Sequence, residues 1–370
     1  MNKVKLNSIL SITFLTFFFC SSSPSSATEI TSIDADSPEI LTIERAIELV
    51  KAADPELSIA RLNAENDDLN MRLENMTYRL IHTDSIESLA LAEQKYIPKA
   101  QKDLNARISK LYKETVADAL RAKAIISYYD LLEAYNEKEW KKQRYQRVDE
   151  LAVLSKEMAR GHENTGATQE DTMLVETRLA STQVEWLASE RKWEEAKIKQ
   201  NEILGVDAKK DWLFSPEQDA ATENPPITFE DAIASLTTDS PARVQKKGEV
   251  QFAQLRVDLI SKYSVLSTYP GKIARNNLEK ANIELQKMNR ADVFALYSIY
   301  QSYEDGYKLL QTSKRAVKLA RENYTKMINQ FKQGLLGTAE VLQAEQDLAN
   351  LENQYVEAEH SFNQTRLNFQ

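Results

Sequence analysis

The chain has 370 residues, 28% of them charged, with a formal net charge of −9 and a single cysteine. This length allows one or two domains with a substantial core, and one cysteine excludes an intrachain disulfide. The acidic balance argues against nucleic acid or an anionic lipid surface as the partner.

Residues 1–27 have the pattern of a signal peptide for export. Lys3 and Lys5 give a positive start, residues 9–20 are apolar, and small residues end the segment at Ala27. The apolar run is shorter than the about 20 residues that a membrane-spanning helix needs. We expect cleavage after Ala27, and the loss of the two lysines changes the net charge from −9 to −11.

Cys20 offers an alternative, in which it carries a lipid anchor. Such a site has a small residue before the cysteine, whereas Phe19 stands there in this chain. The sequence therefore favours simple cleavage, which leaves a mature chain without cysteine. Residues 28–40 are then an N-terminal extension.

Long proline-free segments predict long helices. Residues 99–215 and 271–370 contain no proline and are rich in Ala, Leu, Glu, Lys and Gln, which favour helix. Residues 99–160, after Pro98, have room for about 60 residues of helix, or ~90 Å at 1.5 Å per residue. A seam of 4-3 spacing, typical of paired helices, supports this prediction. Its members are Leu104, Ile108, Leu111, Thr115, Ala122, Ile125, Tyr129 and Leu132.

An internal repeat divides the chain into two similar halves. The segment LTIERAIELVKAADPEL (41–57) returns as ITFEDAIASLTTDSPAR (227–243). Further on, DTMLVETRLASTQVEW (171–186) returns as EVLQAEQDLANLENQY (340–355). Each half therefore reads as a short helix, a longer helix, a very long helix, a glycine-bearing turn and a returning helix.

Four residues are expected to fix the ends of these helices. Thr42 and Thr228 are placed to cap the short helix of each half. Gly161 and Gly334 are placed to end the very long helices in a left-handed cap, so that the chain reverses into a helical hairpin.

The predicted fold is all-α, with long antiparallel coiled-coil helical hairpins in two tandem repeats. Helical repeat 1 covers residues 41–205, a proline-bearing linker covers 206–226, and helical repeat 2 covers 227–370.

Several segments resemble the outer-membrane efflux proteins of the TolC-like family. They are LTIERAIELVKAADPEL (41–57), SYYDLLEA (127–134), NEILG (201–205) and FKQGLLGTAEVLQAEQDLA (331–349). The resemblance implies a homotrimer in which two repeats per chain build a helical barrel of twelve helices. It also implies glycine-bearing turns that face the periplasm and dock a periplasmic adaptor protein of an inner-membrane pump.

The sequence departs from the family in one respect. Family members insert a pair of membrane strands between the second helix and the very long helix of each half, and each strand needs about 9–11 residues. Residues 76–97 alternate poorly between polar and apolar, and residues 257–269 are too few for two strands. We therefore expect the membrane β-barrel strands to be absent and membrane contact to be at most peripheral.

Two groups of residues are candidates for function. Asp171 and Glu340 hold equivalent positions just after the turns, where the resemblance implies an acidic constriction; ordinary exposed acids at helix N-termini are the alternative. The turn residues are candidates for partner docking, although the two leucines among them are equally compatible with local packing. The turn residues are Arg160, Gly161, Gly334, Leu335, Leu336 and Gly337.

No constellation of catalytic residues is evident, and no cofactor or metal site is predicted. His82, His162 and His360 are scattered without metal-ligand spacing. The favoured hypothesis is a periplasmic component of an efflux or secretion system that forms or extends a helical conduit, in the envelope of a Gram-negative bacterium. The alternative is a non-conducting periplasmic scaffold or regulator that binds a true channel.

Overall fold

The computed structural model describes residues 39–161, 169–214, 228–230 and 240–367. Within these residues the chain forms seven α-helices: α1 (Ile43–Ala53), α2 (Pro55–Leu80), α3 (Leu89–Gly161), α4 (Gln169–Leu204), α5 (Pro241–Tyr263), α6 (Tyr269–Lys332) and α7 (Thr338–Arg366). Two short strands, β1 (Glu39–Ile40) and β2 (Trp212–Leu213), complete the main elements. The prediction of an all-α fold with long hairpins is confirmed.

Helix α3 begins at Leu89 and passes through Pro98, so the predicted start after that proline is wrong. A proline inside a helix costs about 3 kcal/mol. The first turns of α3 are held by packing that offsets this cost, because Ala92 is fully buried in a cluster with Ile86 and Leu259 of α5.

The predicted seam on α3 is buried at its two ends, partly buried at Ile108, Leu111 and Ala122, and wrong at one position, Thr115. Thr115 is exposed, and the adjacent Val116 is buried in its place. A helix has 3.6 residues per turn, so a strict 3.5-residue spacing drifts around its surface by about 20° per heptad. The members of the seam that are buried are Leu104, Ile125, Tyr129 and Leu132.

Helix α3 has different neighbours along its two halves. Its first half packs between α2 and α5, and its second half packs between α4 and α7. Arg256 of α5 pairs with Glu93 at 3.3 Å, and Lys141 pairs with Glu185 of α4 at 3.0 Å. Helix α6 runs antiparallel to α5 and then to α7. Helices α2 and α4 therefore lie at one edge of the chain, and α6 lies at the other.

The connections at the end away from the glycine-bearing turn are short. Residues 81–88 join α2 to α3 and contain one 3₁₀ turn, Thr83–Ser85, and residues 264–268 join α5 to α6. Outside these connections the segments 76–97 and 257–269 are helical, and neither contains a strand, as the sequence predicted. In the part of the chain that the structure describes, no helix combines the length and apolar character needed to cross a membrane.

Strands β1 and β2 pair with each other at the two ends of the first repeat. The sequence did not predict this pairing. Glu39 pairs with Trp212 and Ile40 pairs with Leu213 in a parallel ladder. The indole Nε1 of Trp212 donates to Oδ1 of Asn201 at 2.7 Å. The expected N-terminal extension and the expected linker thus both contribute to the packed structure of repeat 1.

Gly205 ends α4 where this helix meets α1. Its φ is +67°, and the N–H of Val206 donates to the carbonyl oxygen of Asn201 at 3.0 Å. A Cβ atom at Gly205 would lie 2.4 Å from Cβ of Ala53. The left-handed backbone and the close approach both require glycine here.

Replacing Gly205 with Ala should lower the free energy of unfolding by about 2–3 kcal/mol, because left-handed backbone and steric overlap both penalise the methyl group. Gly306→Ala in α6 is the matched control. Its added Cβ would have Phe362 Cδ2 as nearest atom at 3.6 Å, and alanine favours helix by about 0.5–1 kcal/mol. Urea unfolding followed by circular dichroism measures both variants, and equal midpoints would contradict this account.

Candidate functional site at the hairpin tips

The turn between α6 and α7 is a helix-capping motif centred on Gly334. Helix α6 ends at Lys332, and Gly334 has a φ of +71°. The N–H of Leu335 donates to the carbonyl oxygen of Gln330 at 2.9 Å, and the N–H of Gly334 donates to that of Phe331 at 2.8 Å. This pair of bonds is the Schellman motif. The predicted left-handed cap at Gly334 is confirmed.

The residues after this cap form the tip of the second hairpin. Leu335 is 68% exposed, whereas Leu336 is half-buried. Gly337 is the N-cap of α7, and a Cβ atom there would lie 2.8 Å from Oε2 of Glu340. The Glu340 carboxylate therefore folds back over the first turn of its own helix. Leu335 is the apolar side chain that this tip presents to solvent.

The tip of the first hairpin lies largely outside the described residues. Helix α3 ends at Gly161, and α4 begins at Gln169. The side chain of Arg160 and residues 162–168 are not among those described. The predicted left-handed cap at Gly161 therefore stays a prediction.

A buried apolar cluster holds the four long helices together below the tips. We call it the tip cluster, and at its centre are six side chains that are at most 1% exposed. They are Val148 and Leu151 of α3, Val175 of α4, Phe331 of α6, and Val341 and Leu348 of α7.

The tip cluster brings the two predicted acids to the same end of the molecule. Asp171 is in the first turn of α4, one turn before Val175. Glu340 is in the first turn of α7 and adjoins Val341. Asp171 is half-buried and Glu340 is exposed. Both carboxylates lie at helix N-termini, where the helix dipole favours negative charge.

A buried ionic network lies next to the tip cluster and joins α3 to α7. Glu345 is fully buried, with Oε1 3.3 Å from Nε of Arg144 and 3.3 Å from Nη2 of Arg147. Arg147 also donates to both carboxylate oxygens of Glu352, at 3.2 and 2.8 Å. Arg144 donates in addition to Glu185 of α4 at 2.7 Å. The network therefore links both repeats.

This network was not predicted from the sequence, because carboxylates with Lys or Arg three or four residues away are ordinarily read as solvated helix faces. Glu176 and Glu345 are equivalent in the two repeats, yet Glu176 forms an exposed pair with Lys156 at 2.9 Å. The equivalent positions thus have opposite environments. Arginines at 144 and 147, one turn apart on α3, were the available signal, but nothing in the sequence pairs them with α7.

Burial raises the pKa values of two carboxyl groups on α7, Glu352 and Glu359. Burial raises the pKa of Glu352 more than Arg147 and Arg321 lower it. Burial also raises the pKa of Glu359, although the Tyr355 hydroxyl donates to it at 3.0 Å and Asn136 donates at 3.2 Å. These groups are therefore more easily protonated than exposed glutamates. Among the described residues, no group of three or more His, Cys, Asp or Glu side chains is placed to hold a metal ion.

Replacing Glu345 with Gln should lower the free energy of unfolding by about 3 kcal/mol, because Arg144 and Arg147 lose a buried counter-charge. Glu176→Gln is the matched control at the equivalent position of repeat 1. Its side chain is 51% exposed, so its loss should cost less than about 1 kcal/mol. Urea denaturation measures the free energy of unfolding of both variants. Similar losses for the two would show that the buried network stabilises the fold no more than an exposed ion pair does.

Replacing Glu359 with Gln should flatten the pH dependence of stability. A carboxyl whose pKa is raised in the folded state stabilises most when protonated, and this contribution is lost as pH rises from the ordinary value of about 4.5 through the folded pKa. The variant should therefore be more stable than the parent at neutral pH. Melting temperatures between pH 4 and 8 measure this, with exposed Glu357→Gln on the same helix as control. A parallel profile for Glu359→Gln and the parent would refute the expectation.

No protein-family model and no curated protein sequence matches this chain. Solved structures match it over most of its length. CusC, which forms a transmembrane channel, has a TM-score of 0.62 at 12% identity, covering 95% of this chain and 98% of that chain. The outer-membrane protein VceC from Vibrio cholerae has a TM-score of 0.59 at 13% identity, covering 88% and 94%.

The MtrE outer-membrane channel of Neisseria gonorrhoeae has a TM-score of 0.57 at 11% identity, covering 95% of this chain and 97% of that chain. Identities this low establish the fold. The chain has the fold of these outer-membrane channel proteins, which is the one that its resemblance to the TolC-like family implied.

Proposed function

We propose that the chain is a periplasmic component of an efflux or secretion system. Three copies associate edge to edge into a helical conduit, and the hairpin tips dock a periplasmic adaptor protein of an inner-membrane pump. The observation that carries the proposal is the presence of exposed apolar rows on both edges of the chain.

The first row lies on α4. It consists of Met173, Val184, Leu187 and Ile198, whose exposed fractions are 62%, 67%, 53% and 53%. At 3.6 residues per turn, these four side chains fall within a sector of about 60°. A row of large apolar side chains on one face of a helix is typical of a surface that packs against another helix.

A second row lies on α2, at the same edge of the chain. Its members are more than half exposed and fall within a sector of about 100°. They are Ile59, Leu62, Leu69, Leu73, Met76 and Leu80.

The third row lies on α6, at the opposite edge. Ile283, Phe294 and Leu319 are 57%, 68% and 58% exposed and share one face of the helix. Ile283 and Phe294 are separated by eleven residues, as Met173 and Val184 are on α4. This spacing suits long, nearly straight helices that pack side by side.

Two unlike apolar edges favour head-to-tail association. The edge formed by α2 and α4 of one copy would pack on α6 of the next, and a heterologous contact of this kind closes into a ring when the rotation fits. Three copies with four helices side by side give the twelve helices that the family resemblance implies. The predicted signal peptide, residues 1–27, supports the periplasm as the location.

The short connections support a conduit without a membrane pore of its own. Residues 81–88 and 264–268 stand where the resembling proteins carry pairs of membrane strands, and each such strand needs about 9–11 residues. Association with the outer membrane would then be indirect or peripheral.

The tips support the docking part of the proposal. Leu335 is exposed at the turn, and three copies would bring Asp171 and Glu340 to one end as six carboxylates. Such a ring would repel anions and attract cations at the entrance of the conduit.

Light scattering of the purified mature chain without detergent should give the mass of three chains. Val184→Glu should shift the mass toward that of one chain, because it places a charge in the apolar row of α4. Val153→Glu on α3 is the matched control, since Val153 is also exposed, at 51%, but lies on a helix between two neighbours. A parent chain that stays monomeric at high concentration would refute the conduit and favour the scaffold.

Replacing Asp171 with Asn and Glu340 with Gln together should make the trimer more resistant to heat at low salt. Six like charges at one end repel each other, and salt screens this repulsion. The difference from the parent should therefore shrink as salt is added. Light scattering during heating measures the temperature at which each trimer dissociates. Equal dissociation temperatures of the double variant and the parent at low salt would remove the acidic ring from the proposal.

A further inference from the structure

A cavity of about 610 Å³ lies where α3, α6 and α7 meet. Its apolar wall is formed by Trp140 of α3, Val317 of α6 and Tyr355 of α7. Trp140 and Tyr355 are half-buried, and their ring centroids lie 6.4 Å apart in an edge-to-face arrangement. A concave site of this size with aromatic walls suits a small organic molecule. The whole lining belongs to one chain, so the cavity does not depend on the association of copies.

Charged side chains of α6 give the same cavity a positive character. Three cations and one carboxylate belong to its lining, so its formal charge is +2 in a chain whose net charge is −9. All four side chains are exposed, and a molecule in the cavity can therefore reach them. They are Lys314, Lys318, Arg321 and Glu322.

Lys314 and Lys318 are the cations available to a ligand. In the part of the chain that the structure describes, neither ammonium group forms a hydrogen bond or an ion pair. Arg321, by contrast, pairs with Glu352 at 3.3 Å and lies 5.2 Å from the centre of the Trp140 ring. An entering anion would thus meet two ammonium groups that have no counter-charge to give up.

The buried carboxylates of α7 beside the cavity already have hydrogen-bond donors. Glu352 accepts from Arg147 at 2.8 Å and from Arg321 at 3.3 Å, and Glu359 accepts from the Tyr355 hydroxyl at 3.0 Å. Neither carboxylate is part of the lining of the cavity. The lining therefore favours an anion over a cation.

The two lysines are placed to hold one anionic group together. They are four residues apart on α6, which brings their Cβ atoms to about 5–6 Å from each other on one face of the helix. At about 100° per residue, both lie at least ~100° around α6 from Leu319, a member of the apolar row. The cavity and the proposed edge contact are thus on different faces of α6.

We propose that this cavity binds a small organic anion with an aromatic body, such as an aryl sulfonate or an aryl carboxylate. The anionic group would accept hydrogen bonds from Lys314 and Lys318, and the aromatic body would lie against Trp140 and Tyr355. Binding requires no covalent step and no second copy, so it is independent of the conduit proposed above.

Isothermal titration calorimetry of the full mature chain with 2-naphthalenesulfonate tests the proposal, at roughly 0.15 M salt to screen non-specific attraction. 2-Naphthalenemethanol has the same ring system without the charge and should bind about tenfold more weakly or worse. Lys314→Gln together with Lys318→Gln should weaken sulfonate binding by about tenfold or more. The matched control is Lys287→Gln together with Lys326→Gln, which changes the net charge equally. These two lysines of α6 are exposed and do not line the cavity, so sulfonate binding should stay unchanged.

Glu322→Gln separates the site from a loss of folding. It removes the one carboxylate of the lining, so it should strengthen sulfonate binding by about two- to fivefold, which a damaged fold would not do. Tighter binding by this variant, with weaker binding by the variant of Lys314 and Lys318, would support the site. Equal binding of sulfonate and alcohol, sulfonate binding that neither variant alters, or no sulfonate binding at all would overturn it.

Discussion

The ionic contact between α3 and α7 is the interaction on which the rest of the structure depends. Two long helices joined by apolar contacts alone can slide by a turn at modest cost. Charges removed from water need their partners at hydrogen-bond distance, and breaking a buried pair costs several kcal/mol. Arg144 and Arg147 both pair with Glu345, and Arg147 also pairs with Glu352. This arrangement fixes the register of the second repeat on the first.

The fixed register determines which surfaces remain open. Helix α3 is covered on both sides, α7 lies between α3 and α6, and α2, α4 and α6 each keep exposed apolar side chains. These helices carry the exposed apolar rows. The proposed assembly is thus a consequence of how one chain packs, because the two edges are unlike and identical copies can satisfy both only head to tail. The positions of the hairpin tips result from the same packing, since the tip cluster brings the ends of both hairpins together.

The sequence predicted the parts of the fold that depend on local chemistry. The helix-forming composition predicted the long helices. Thr42 caps α1 as expected, by accepting from the N–H of Arg45 at 3.2 Å, and Gly334 ends α6. It failed where distant contacts decide the outcome. Pro98 stays helical because packing offsets its cost, and the ladder between β1 and β2 is too short to leave a pattern. Of the candidate site, the position of the second tip was predicted, whereas the arginine–glutamate network was not, because sequence spacing carries no information about partners on another helix.

Disulfide cross-linking between copies tests the central claim most directly. Leu187 of α4 and Leu319 of α6 are exposed, and each is two residues from a side chain paired with the ionic network. Glu185 pairs with Arg144 at 2.7 Å, and Arg321 pairs with Glu352 at 3.3 Å. In a chain with Cys20→Ser, the pair Leu187→Cys and Leu319→Cys should give covalent species of two and three chains on oxidation. Each single variant should give no species of three chains. Oxidation that leaves the double variant entirely monomeric in denaturing gels would contradict edge-to-edge assembly.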